Sequence, residues 1–109
     1  MAWPDLVSYV FGGGFLANAI PHLVSGMMGR AFQSPFAKPP GRGLSSSTVN
    51  VLWGSGNIVI GYLLICRVGD FRLRSTGDAL ACGAGALLIA VFSARHFGRL
   101  HGGDRPAPR

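Results

Sequence analysis

Glutamate is missing altogether from these 109 residues, and the only side-chain carboxylates are Asp5, Asp70, Asp78 and Asp104. None of the four lies inside a long apolar run, so the intramembrane carboxylate on which proton-coupled antiport normally relies is lacking. Nor is a nucleophile paired with a base. Ser25 follows His22 by three positions, but no acid is placed to orient such a pair. The sequence therefore predicts no enzyme. Cysteine occurs only as Cys66 and Cys82, without a CxxC spacing, which excludes a zinc ribbon, a thioredoxin-like redox centre and a disulfide-stapled mini-protein. Lysine appears once, at Lys38, against nine arginines; with abundant Gly and Ala this suggests a GC-rich bacterial source.

Charge of either sign is scarce. Asp, Glu, Lys and Arg make up 13% of the chain, where a soluble domain carries about 25%. The shortage is concentrated in three runs without any of these residues: Leu6 to Gly29 and Gly43 to Cys66, each 24 residues long, and Ala79 to Ala94, 16 residues. At about 1.5 Å per residue, 24 helical residues cover roughly 36 Å, enough for a hydrocarbon core about 30 Å thick. The net charge of +6 and pI near 10.8 do not describe a nucleic-acid binder, because the basic residues flank the apolar runs and form no stripe with interleaved aromatics.

The expected fold is an all-α membrane protein: one three-helix bundle over residues 1–97, with helices over about 5–28, 48–68 and 78–97, and a basic, disordered tail over 98–109. A cleavable signal peptide needs a basic start and a shorter apolar segment, so the first run is expected to stay as a retained helix. Pro4 suits the start of that helix, and Pro21 inside it frees a carbonyl one turn earlier, near Ala17. Trp3 and Tyr9 are placed for an interfacial aromatic belt. The segment from Arg30 to Ser46 reads as a loop, punctuated by Pro35, Pro39, Pro40, Gly41 and Gly43. Its Phe32 and Phe36 are expected at the headgroup boundary, and one of Ser45, Ser46 and Ser47 caps the second helix.

Orientation follows from counting basic residues. Arg67, Arg72 and Arg74 fall on the side of the N-terminus; Arg30, Lys38, Arg42, Arg95, Arg99, Arg105 and Arg109 fall on the other. The positive-inside rule then puts the N-terminus outside and the first loop and C-terminus in the cytoplasm of a bacterial inner membrane. Arg30, Lys38, Arg42, Arg95 and Arg99 are the expected contacts to anionic lipid, worth about 1 kcal/mol for each nearby arginine.

Candidate packing residues form a clear pattern. Asn50, Gly54, Asn57 and Gly61 are spaced 4-3-4, which sets them along one helical face. Small residues there permit close approach, and the two amides can hydrogen-bond across it for roughly 0.6 kcal/mol each. The first helix offers Gly12, Gly13 and Gly14, then Asn18 and His22; the third offers Gly83 with Ala79. These faces either pack against one another within the chain or hold another subunit.

His22 is the one titratable group deep within a span, and such residues mark candidate sites. Its imidazole either hydrogen-bonds to a neighbouring helix or ligates the metal of a haem or chlorophyll. Cys66 and Cys82, near the two ends of the short second loop, either form a disulfide or remain as two free thiols. Three roles follow. The foremost is a non-catalytic accessory or assembly subunit of a larger inner-membrane complex, partnered by lipid and by other membrane subunits or copies of itself. The alternatives are a homo-oligomeric channel or transporter lined by Asn18, His22, Asn50 and Asn57, and a tetrapyrrole-binding bundle built on His22.

Overall fold

The computed structural model describes residues 2–105; the last part of the expected tail, 106–109 with Arg109, lies outside them. The described residues form three helices, α1 (Trp3–Met27), α2 (Ser47–Cys66) and α3 (Thr76–His101). Two short strands, β1 (Phe32–Gln33) and β2 (Leu44–Ser45), pair antiparallel within the loop between α1 and α2. All three helices are long and apolar enough to cross a membrane.

Each helix begins where its sequence supplies a start. Pro4 takes the second helical position of α1, where an N–H has no partner to lose. The Ser46 hydroxyl accepts from the Val49 N–H at 3.1 Å to cap α2, and Ser75 caps α3 by accepting from the Asp78 N–H at 3.4 Å. Gly102, with φ +79°, closes α3 in the left-handed conformation that glycine enters without penalty. The third helix therefore runs four residues past Phe97, and residues 98–101, expected in a disordered tail, are helical.

α1 is the shared neighbour: it packs against both α2 and α3, which make no comparable contact with one another. Glycine lets the backbones approach. A methyl group at Gly54 would stand 3.0 Å from the Leu23 nitrogen, and one at Gly13 or Gly85 would run into the backbone of Cys82 or Val10. Gly12 faces Gly61 and Ile65 on α2, and Gly14 faces Ile89 on α3. The seam read from α2 is thus used inside the chain, against α1. On α3, however, Gly83 faces open space and Gly85 is the glycine that packs.

Interior and exterior are inverted relative to a protein in water. Ser8, His22, Gln33, Ser34, Asn50, Asn57 and Asp78 are buried, whereas Phe11, Ile20, Leu52, Leu87, Leu88 and Phe92 are among the many exposed large apolar residues. Lipid tails are as apolar as leucine, so helices in a bilayer cohere through close small-residue contact and hydrogen bonds.

The two ends of the bundle differ. At one, Tyr9 is buried with its ring edge-on to Phe71, centroids 5.0 Å apart, and the Asp78 carboxylate accepts from the Arg72 N–H at 2.9 Å. Tyr9 is thus a packing residue, while Trp3 stays exposed as a belt residue should. At the other end the loop over residues 30–46 meets the last turns of α3. There Phe32 is buried and only Phe36 of the two loop phenylalanines reaches outward. Cys66 and Cys82 are free thiols.

Candidate functional site

The sequence-predicted polar residues converge on the α1–α2 seam and its loop. Along the seam the Ser8 hydroxyl donates to the Leu64 carbonyl at 2.6 Å, and the Asn18 amide donates to Asn57 Oδ1 at 3.0 Å. Asn57 in turn donates to the Trp53 carbonyl one turn back at 2.8 Å. Both Asn50 and Asn57 are 0% exposed.

Asn50 is the hub. Its Nδ2 lies 3.0 Å from the Phe32 carbonyl, 3.2 Å from that of Ser45 and 3.0 Å from that of Ser46. Carbonyls only accept, so the amide NH2 must face them and Oδ1 must face His22 Nδ1, 2.8 Å away. That fixes the imidazole as the tautomer protonated on Nδ1, donating to Asn50. One carboxamide thus ties α1, α2 and both strands of the loop together.

The loop is clasped from the other side by α3. His96 Nε2–H donates to the Gly41 carbonyl at 2.7 Å, and His101 Nε2–H donates to Gln33 Oε1 at 3.0 Å. Inside the loop the Gly41 N–H reaches the Ser34 carbonyl at 2.9 Å, and the hydroxyls of Ser34 and Ser45 meet at 2.6 Å. All three histidines of the chain surround a single aromatic cluster. Phe32 lies 4.7 Å from Phe97 and 5.5 Å from His101 between ring centroids, and Phe36 sits edge-on to Trp53 at 5.2 Å.

Sequence reasoning missed this cap. From sequence, residues 98–109, which include His101, read as tail, and Phe32 reads as a headgroup-boundary residue. No local spacing links a histidine to a carbonyl 55 positions earlier. The available signal was confined to α3, where Phe92 and His96, and Phe97 and His101, are each spaced by one helical turn.

The imidazole of His22 does not fit a tetrapyrrole. It is 3% exposed and ringed by Phe32, Trp53 and Phe97 at centroid distances of 5.4, 6.4 and 6.3 Å, which leaves no open face for a macrocycle. Among the described residues no three His, Cys, Asp or Glu side chains come together as a metal site. Asn18, His22, Asn50 and Asn57 direct their hydrogen bonds to one another, to the loop and to the Trp53 carbonyl of α2, all within this chain. Of the expected lipid contacts, Arg30, Lys38, Arg42, Arg95 and Arg99 are all exposed, and all lie towards the end that carries the cap.

No protein family, curated protein or solved structure matches this chain.

Proposed function

We propose that this chain is a small integral membrane protein crossing the bilayer three times, and that it acts as a non-catalytic accessory or assembly subunit of a larger complex. The observation that carries this reading is the cap. Residues 30–46 are hydrogen-bonded to α2 and α3, yet Phe36, Lys38 and Arg42 project from them into the surroundings. Ordering a long loop costs conformational entropy at every residue. A loop already rigid before binding spares its partner that cost, so a fixed display of an aromatic and two cations suits recognition.

The open face of α3 supports the same reading. Only Asp78 and Gly85 of that helix are buried. Gly83, Ala90 and Ala94 face outward along it and leave room for another helix to approach closely. By the balance of basic residues the cap faces the cytoplasm of a bacterial inner membrane.

Extraction in mild detergent, affinity capture of this chain and native mass spectrometry test the assignment. A hetero-complex that dissociates on replacing Phe36, Lys38 and Arg42 together is expected; repeated copies of this chain alone, or a lone monomer, would overturn it. A reporter fused after Arg109 should behave as cytoplasmic, and a periplasmic signal would reverse the orientation.

A further inference from the structure

The last turns of α3 gather three arginines around one concavity. Arg95 and Arg99 are four positions apart and share a helical face. Beyond Gly102 the chain turns back until Asp104 lies against Gly98, where an added methyl would stand 2.7 Å from the Asp104 β-carbon. The reversal brings Arg105 to the same hollow, which encloses about 660 Å³ with Asp104 on its wall. Three arginines and one aspartate thus line the same hollow. Among the described residues the ion pair is Arg72 with Asp70, at the opposite end of the bundle, and in the hollow three arginines outnumber one aspartate.

The same face of α3 continues as an apolar track. Phe92 lies one turn before Arg95 and Leu88 two turns before it, and both are exposed. Leu88 and Ile89 form one wall of an apolar cleft of about 480 Å³, with Trp53 of α2 opposite and Phe11 and Phe15 of α1 along its floor. Seven residues of helix place Leu88 roughly 10 Å below Arg95. Headgroup layers occupy roughly 5–7 Å on each side of the hydrocarbon core, so arginines at phosphate level set Leu88 among acyl chains.

We propose that this end of α3 binds one anionic phospholipid. Arg95, Arg99 and Arg105 hold the phosphate, and an acyl chain runs past Phe92 and Leu88 into the cleft between α2 and α3. Guanidinium groups match phosphate oxygens with paired N–H donors. The surplus of positive charge selects lipids of net negative charge, because the ammonium of a zwitterionic headgroup meets like charge here. The site is independent of any protein partner and requires only that the helices lie in a bilayer.

The test is lipid retention by the full chain. The protein is purified in mild detergent from membranes containing both anionic and zwitterionic phospholipids, and bound lipid is counted by native mass spectrometry. One anionic phospholipid per chain is expected. Each Arg→Gln change at 95, 99 or 105 should lower its occupancy about fivefold, Asp104→Asn should raise it, and R72Q/R74Q should leave it unchanged. Glycerol 3-phosphate and inorganic phosphate, which lack an acyl chain, should fail to displace the lipid at millimolar concentration. Equal retention by R95Q/R99Q/R105Q, equal retention of zwitterionic lipid, an equal loss in R72Q/R74Q, a fall in Asp104→Asn or displacement by either soluble phosphate would each overturn the proposal.

Discussion

His22 and Asn50 meet 2.8 Å apart in the interior, and the orientation of that one amide sets the proton position of the imidazole. The pair also couples the middle of the molecule to its cap, because the same amide donates to carbonyls of both loop strands.

Replacing Asn50 with alanine should therefore cost more than the same change at Asn57. At position 50 it strands the His22 N–H and two loop carbonyls, roughly 1–3 kcal/mol for buried unpaired groups. At position 57 it removes one interhelical hydrogen bond, for which about 0.6 kcal/mol is typical in a membrane protein. Unfolding midpoints in mixed micelles would rank the two variants, and a milder effect for N50A would contradict the hub role.

Two glycines of α3 that look alike in sequence should respond differently. A methyl group at Gly85 collides with the Val10 backbone, so Gly85→Ala should destabilise the isolated chain by about 1–3 kcal/mol. Gly83→Ala meets open space and should change stability by less than about 0.5 kcal/mol. If Gly83 lies at a contact with another subunit, its substitution should lower the yield of the complex while leaving the monomer's melting unchanged.

The histidine clasp predicts a loosened cap when it is removed. H96A and H101A each delete one hydrogen bond to the loop, worth about 0.5–1.5 kcal/mol. Trypsin cleavage after Arg42 should accelerate several-fold in either variant and further in the double variant. Cleavage at the wild-type rate in both would show that Asn50 alone holds the loop.

The two thiols are expected to react independently. Without reductant, denatured protein should take up two maleimide groups by mass; under native conditions exposed Cys66 should react before half-buried Cys82. An unmodified mass would reveal a bridge.

Much of the helical architecture was legible from composition alone, since lipid imposes length and apolarity on any crossing helix. The 4-3-4 seam of Asn50, Gly54, Asn57 and Gly61 was also readable, because helical periodicity is local and all four residues are buried. What escaped was the choice among equivalent faces. Gly83 and Gly85 differ by two positions, and only the position of α1 decides which of them packs. Tyr9 and Phe32 were read as interfacial because aromatics favour that depth; Phe71 and Phe97, distant in sequence, provide the rings that bury them. The tail reads as unstructured from its Gly, Pro and basic content, yet Gly102 is the signal that ends α3 beyond His101.

The central place of α1 bears on how the molecule is assembled. Of the three helices α1 comes first in the chain and both later ones rest on it, so in a bilayer each new helix leaving the ribosome would find its template already in place. Neither α2 nor α3 has to wait for the other, and removing either would still leave its sibling a complete neighbour.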